Sequence, residues 1–193
     1  MHNIYTTEGF ILKSVNYGED NKYYSIYTKD FGLVRASAQS VRLIKSKLRY
    51  GLTDFSLGYF SLVRGKGLWR LTGAETISSG NYPVLIRIFS LLTRLVQGEE
   101  PNQKLYAILR AGVDFFLAEF ATNQETTKQE EILNFECVMV LKILASLGYV
   151  GESGNLQELI SSPYFSRDLV ERAAKLRKDA IVQINNSLRE SQL

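Results

Sequence analysis

The first 80 residues alternate between apolar and polar positions in short segments that turn residues separate. Segments of this kind, rich in aromatic and β-branched residues, are typical of β-strands. The pattern predicts five strands, at residues 9–17, 22–29, 33–38, 55–63 and 68–77. Turn residues lie at 18–21, 30–32 and 65–67, and the second of these turns predicts a positive φ at Gly32.

Five short strands with one long connection between the third and the fourth predict an OB-fold, a small Greek-key barrel that often binds oligonucleotides. Strand count alone also fits another small barrel, such as an SH3-like one. Strand alternation places Tyr24 and Ile26 on one face of the second strand and Tyr23 and Tyr27 on the other. One of these faces must fill the barrel. Gly58, inside the fourth strand, indicates a bulge or a barrel corner.

After residue 80 the apolar positions follow a helical period. The pattern predicts helices at 81–96, 102–120, 127–147 and 156–160, and a long helix from Ser162 and Pro163 to residue 188. A capping box at 127–130 opens the third helix, and Gly148 ends it. This helix is apolar on most sides, which predicts the buried centre of a bundle. The fold class is therefore α+β, with an OB barrel at 1–79 and a helical domain at 80–193.

Composition removes several classes of chemistry. Cys137 and His2 are the only cysteine and the only histidine of the chain. One thiol and one imidazole cannot form an internal disulfide, a closed zinc site or a Ser-His-Asp or Cys-His catalytic set. Cys137 lies in an apolar helical segment, which favours a small core residue over a nucleophile. We expect a protein without cofactor or metal that is not an enzyme.

Targeting and charge add two expectations. No basic segment followed by an apolar run opens the chain, and no apolar run reaches the length of a membrane span, so we expect a cytoplasmic protein. Residues 1–80 carry 11 Lys and Arg against 6 Asp and Glu, whereas residues 81–193 carry 12 against 14. The two halves therefore offer different surfaces to partners.

The segment 39–51, called the basic connector below, joins the third and fourth predicted strands. No Asp or Glu lies between Phe31 and Thr53. Lysine and arginine neutralise phosphates without sequence-specific geometry, so a basic segment in a small barrel predicts nucleic-acid binding. The alternative is a solvated loop that charge keeps soluble. The candidate nucleic-acid-binding residues are Arg35, Arg42, Lys45, Lys47, Arg49, Lys66 and Arg70.

Aromatic residues lie among these cations. Tyr23, Tyr27 and Tyr50 are candidates for stacking on nucleobases, with packing inside the protein as the alternative. The segment Gly65-Lys66-Gly67 lacks the spacing and the strand-to-helix context of a phosphate-binding loop, so it predicts a hairpin turn with Lys66 at its tip.

The order of several short motifs resembles the RecO family. In the barrel half the motifs are Gly-Phe-Ile-Leu at 9–12, Tyr-Gly-Glu at 17–19, Thr28, Gly-Leu-Val at 32–34, Ala38 with the basic run and Ser46, and the segment 68–75. In the helical half they are Phe-Glu at 135–136, Leu144, Leu-Gly-Tyr at 147–149 and the segment 184–193. The resemblance spans nearly the whole chain.

The resemblance implies a DNA repair protein that acts as a recombination mediator in the bacterial cytoplasm, associated with the nucleoid and monomeric on its own. It implies binding to single- and double-stranded DNA, annealing of complementary strands, and action with RecR to help RecA displace single-strand-binding protein. The helical half would receive the acidic C-terminal tail of single-strand-binding protein. The cations available for that tail are Lys142, Arg172, Lys175, Arg177 and Lys178, and their alternative role is a solvated helix face.

One departure qualifies the resemblance. Many members of the family carry zinc-binding cysteines soon after the Leu-Gly-Tyr motif, whereas this chain has none at 150–154. The chain thus resembles a compact, zinc-free member. The alternative function is a protein-interaction scaffold, in which barrel and bundle bind partners and DNA contact is incidental.

Overall fold

The computed structural model describes residues 3–121, 129–151, 154–162 and 164–190. The chain forms two compact units, Met1–Gln103 and Lys104–Leu193. The first unit contains the five predicted strands, a short 3-10 helix and one α-helix, and the second contains the remaining helices that the structure describes.

The strands are β1 (Ile4–Tyr17), β2 (Asn21–Thr28), β3 (Gly32–Ala38), β4 (Leu57–Arg64) and β5 (Trp69–Ser78). They form a closed barrel in the order β1-β2-β3-β5-β4, and β1 also pairs with β4 to close it. β3 and β5 are parallel, whereas the other pairs are antiparallel. This topology confirms the predicted OB-fold.

β1 is five residues longer at its start than the sequence pattern predicted. Its first half pairs with β4 through residues 4–10, and its second half pairs with β2 through residues 9–17. Thr6, Thr7 and Glu8 supply no apolar alternation, so the first half resembles a polar tail in sequence. A register shift after Ile11 lets the long strand turn from one neighbour to the other.

The barrel core confirms the predicted strand faces. Tyr24 and Ile26 lie buried inside it. A register shift between Leu57 and Gly58 confirms the predicted bulge. Gly32 has φ +65°, as predicted, and the backbone of Glu100 lies so close that a side chain would not fit there.

The first helix, α1 (Pro83–Leu95), belongs to the barrel unit. The ring of Phe89 lies 5.4 Å from that of Phe10 on β1. The segment that follows is tied to the barrel as well, since Gln103 donates a hydrogen bond to the carbonyl of Lys29. The predicted division at residues 79 and 80 follows the change from strands to helices, whereas the compact unit extends to Gln103.

The second unit contains α2 (Gln103–Phe116), a wider π-helical turn (Leu117–Ala121), α3 (Gln129–Ser146), a 3-10 turn (Gly154–Leu156), α4 (Gln157–Ser161) and α5 (Arg167–Glu190). α3 is buried on most sides, as predicted. Gly148, at φ +82°, ends it as predicted. The first two residues of the predicted capping box lie outside the described residues. Within the ranges described, no helix is long and apolar enough to cross a bilayer.

The long last helix begins at Arg167, five residues after the predicted start at Ser162. Ser166 caps it, because its hydroxyl accepts a hydrogen bond from the backbone N–H of Leu169 at 3.2 Å. A serine in this position satisfies one of the free donors of the first helical turn. The hydroxyl of Ser162, the predicted start, donates instead to the carbonyl of Tyr164 at 2.9 Å.

Candidate nucleic-acid interface

The basic connector is tied to the turn between β1 and β2. The backbone N–H of Ser40, a residue at φ +54°, donates to Oδ1 of Asn21 at 2.8 Å. The backbone N–H of Arg42 donates to the carbonyl of Asp20 at 3.0 Å, and its guanidinium donates to the carbonyl of Gly18 at 3.3 Å. These bonds fix the start of the connector against the barrel.

Apolar residues of the connector point inward and close one end of the barrel. Val41 of the connector and Leu52, the residue after it, are buried in the barrel core, and Leu48 packs against that core from the 3-10 helix Lys47–Gly51. With these positions turned inward, the connector's four cations are all exposed. The local fold therefore explains why this segment presents a basic surface.

A hollow of about 240 Å³ opens beside the connector. Its lining residues are Lys22, Tyr24, Val41, Arg42, Arg49 and Leu52. Burial, and to a lesser extent the charge of Asp54, raises the pKa of Tyr24 to about 12, so its phenol stays neutral at physiological pH. Three cations around an open hollow suit a phosphate group, because opposite charge favours a polyanion there.

Sequence reasoning did not select Lys22 for this site. Its ammonium donates to the hydroxyl of Ser14 at 3.4 Å and lies 6.0 Å from the ring centroid of Tyr24. A single lysine at the start of a strand carries no pattern of its own. Only the closure of the barrel by the connector brings it beside Arg42 and Arg49.

Two of the predicted cations lie on the outer wall of the barrel. Arg35 on β3 is opposite Ser25, which is in turn opposite Lys13 on β1. Arg70 on β5 is opposite Ser37. The side chains of Lys13, Arg35 and Arg70 are exposed. Lys13 was also missed, because its place in this row depends on the strand register.

Lys66 lies apart from the connector. The backbone bond from Gly65 N–H to the carbonyl of Leu68, at 3.1 Å, confirms the predicted hairpin. Because β3 and β5 are parallel, the hairpin that precedes β5 lies towards the start of β3, whereas the connector follows its end. Lys66 is exposed but does not share the hollow.

The three tyrosines proposed for stacking have different surroundings. Tyr50 is 79% exposed beside Arg49. Tyr23 is half-buried, with its ring 4.6 Å from that of Tyr17 on the outer face of the barrel. Tyr27 is buried, its hydroxyl donates to the carbonyl of Asn102, and burial raises its pKa to about 12. Tyr27 is therefore not available to nucleobases, contrary to the sequence-based expectation, because the segment after α1 covers its face of the barrel.

The cations proposed to bind the partner's acidic tail do not form one continuous surface. Lys142 is buried in α3, where its ammonium donates to the carbonyls of Ile160 and Ser162 and lies 5.4 Å from the ring of Phe165. It cannot rim a surface pocket, contrary to the expectation. Arg172 forms ion pairs with Glu158 and Asp168.

The remaining three cations of that set lie on α5. Lys175 and Lys178 are exposed. Arg177 is half-buried beside Cys137. Burial raises the pKa of the Cys137 thiol, and Arg177 opposes that rise. A half-buried thiol with a raised pKa is a poor nucleophile.

No cluster of three or more His, Cys, Asp or Glu that could hold a metal occurs among the residues that the structure describes. His2 lies outside those residues. Glu152 and Ser153 also lie outside them, in the segment where many members of the RecO family carry zinc-binding cysteines. The expectation of a metal-free protein stays a prediction.

Comparison with known proteins finds its strongest matches along the barrel. Residues 1–80 match the family model described as Recombination protein O N terminal. Three similar proteins are each named DNA repair protein RecO. The one from Rubrobacter xylanophilus is 37% identical over 76 residues, or 39% of this chain and 31% of its own. The one from Gloeothece citriformis is 33% identical over 119 residues, or 56% of this chain and 41% of its own.

A third relative matches along more of the chain. The protein from Thermodesulfovibrio yellowstonii is 26% identical over 181 residues, or 86% of this chain and 68% of its own. The first two matches span less than half of the relatives' lengths. The similarity is therefore concentrated in the barrel and extends at lower identity into the helical unit.

Proposed function

We propose, from the premise that this chain belongs to the RecO family, that it is a recombination mediator of DNA repair that binds single- and double-stranded DNA. The observation that carries the proposal is the hollow beside the basic connector, where Lys22, Arg42 and Arg49 converge. The connector has no acidic residue to oppose them. The match of residues 1–80 to the family model covers this whole surface.

The mechanism we propose is annealing by backbone capture. Exposed cations bind phosphates, and they do so without reading bases, so the Watson–Crick edges of a held strand stay free to pair. Arg35 and Arg70, with Lys13, extend the basic surface along the outer wall of the barrel. A second strand can be held there while its bases meet those of the first.

The proposal includes partners. In it, the protein acts with RecR to help RecA displace single-strand-binding protein, and α5 receives the acidic tail of that protein. Lys175 and Lys178, three residues apart and both exposed, are the α5 cations that support this role, with Arg177 beside them. The reaction needs no catalytic residue, cofactor or metal, and we place it in the cytoplasm with a monomeric protein.

The experiment is annealing of two complementary labelled strands, followed by fluorescence. A connector variant replaces Arg42, Lys45, Lys47 and Arg49 by Gln. A control variant replaces the exposed cations Lys29, Arg94, Lys104 and Arg189 by Gln and so removes the same charge. Lost phosphate contacts should slow annealing by the connector variant about tenfold, while the control stays within about twofold.

Two results would contradict the proposal. One is a folded connector variant, with an unchanged circular dichroism spectrum, that anneals at the wild-type rate. The other is a wild-type protein that does not accelerate annealing. That result would favour the alternative function, a protein-interaction scaffold.

A further inference from the structure

The tip of the basic connector exposes apolar side chains between its cations. Ile44 is 82% exposed and Leu43 is 44% exposed. Arg42 precedes them and Lys45 follows them, and both cations are exposed too. Tyr50, farther along the connector, also has an exposed ring. In the free protein these apolar side chains are exposed to water, which is unfavourable in free energy, and burial against a ligand would remove that cost.

The connector's local bonds hold this tip in a defined shape. The backbone N–H of Leu43 donates to the carbonyl of Ser40 at 3.2 Å, and that of Ser46 donates to the carbonyl of Leu43 at 3.0 Å. Val41, just before the tip, is anchored in the barrel core. The two apolar side chains are thus presented in advance, so little conformational entropy is lost when a ligand covers them.

Charge indicates what covers the tip. A partner that buries Leu43 and Ile44 must also approach Arg42 and Lys45, with no acidic residue of the connector to pair with them. The fitting partner carries negative charge at close spacing and apolar surface within a few ångströms of it. A nucleic-acid strand with unstacked bases has this chemistry, because phosphates alternate with base faces.

We propose that Leu43 and Ile44 form an apolar wedge that packs on the faces of unstacked nucleobases while the neighbouring cations hold the phosphates. This inference rests on the proposed function and names the part of the DNA that the connector contacts. Apolar side chains enter between bases in other DNA-binding proteins, where they unstack a step. In a fully stacked duplex the base faces are covered, so the wedge favours single strands and strand ends.

The test compares a single strand of thymidines with a strand of equal length made of abasic sites, using fluorescence anisotropy. The wedge variant is L43S with I44S. The matched control is I4S with I77S, which changes two β-strand residues that are 65% and 41% exposed. We expect the wild type to bind the thymidine strand about tenfold more tightly than the abasic strand, and the wedge variant to lose that preference. The control should keep it.

Each other outcome overturns a distinct statement. Wild-type protein that binds both strands equally, or a wedge variant that keeps the base preference, overturns the wedge and leaves the proposed DNA binding intact. Wild-type protein that binds neither strand overturns the proposed function and the wedge with it. A last outcome concerns membranes. If the wild type sediments with anionic phosphatidylglycerol vesicles, and the wedge variant does not but keeps its DNA affinity, the tip binds a membrane surface instead.

Discussion

Lys142 shows how the position of one side chain changes its chemistry. The resemblance to the RecO family placed this lysine among the cations available to an acidic partner. In the structure it is buried in the C-terminal half of α3, and its ammonium donates to the carbonyls of Ile160 and Ser162 at the end of α4. Burial lowers its pKa to about 8, because the charged form is poorly solvated there.

The depressed pKa predicts how stability depends on pH. The folded protein releases the Lys142 proton near pH 8, whereas the unfolded chain holds it to about pH 10.5. The stability of the wild type relative to K142M should therefore rise as pH increases from 7 to 10, by roughly 2 kcal/mol, and be lost again as pH falls through 8.

Urea denaturation at several pH values measures this difference, and K175M, at an exposed lysine, is the control. The tyrosines that titrate at high pH are present in every variant, so their contribution cancels. If the difference in free energy of unfolding between the wild type and K142M does not change from pH 7 to 10, burial does not destabilise the charged form of Lys142.

Single residues were the hardest to place from sequence. The set of exposed cations follows from their residue type, and the structure leaves all seven predicted barrel cations exposed. Lys22 was missed and Tyr27 was assigned wrongly, because the surroundings of both residues come from distant segments. The connector brings Lys22 into the hollow, and the segment after α1 covers Tyr27.

At the scale of the element, α5 presents one exposed row of mixed chemistry. Lys175, Lys178 and Val182 are spaced by three and four residues, so they share a helix face. All three are exposed. A cationic and apolar row of this kind supports the proposed binding of a tail that carries acidic and apolar residues.

Peptide titration tests this part of the proposal. A synthetic acidic C-terminal tail of a bacterial single-strand-binding protein should bind the wild type at low salt. K175E with K178E should weaken that binding about tenfold, because attraction becomes repulsion. K104E with R189E, an equal change at other exposed positions, should leave it within about twofold. K142M should leave it unchanged, since Lys142 is buried.

Absence of tail binding by the wild type at low salt would remove this partner. Binding that survives reversal of Lys175 and Lys178 would place the tail elsewhere on the protein.

Elements were predicted well where apolar periodicity is strong and poorly at their ends. α1 and β2 to β5 lie within two residues of their predicted bounds at nearly every end. The first half of β1 was missed because barrel closure, and not its own composition, pairs it with β4. The start of α5 was misplaced because two serines could serve as caps, and only the fold selects Ser166.

At the scale of the whole molecule, charge is divided between residues 1–80 and residues 81–193 in a way that fits their proposed roles. The excess of Lys and Arg lies in residues 1–80, the segment that matches the family model. Residues 81–193 have an excess of Asp and Glu. Fold class and the basic surface could be predicted because both follow from local patterns. The hollow could not, since it depends on how the connector closes the barrel.

The salt dependence of single-strand binding tests the central claim most directly. The affinity should fall steeply as salt rises, because each phosphate contact releases counterions, and each contact contributes roughly 0.7 to the slope of log affinity against log salt. The connector variant at Arg42, Lys45, Lys47 and Arg49 should bind more weakly, with a slope flatter by about 2 to 3. The equally charged control should keep the wild-type slope. A folded connector variant with unchanged affinity and unchanged slope would contradict the account.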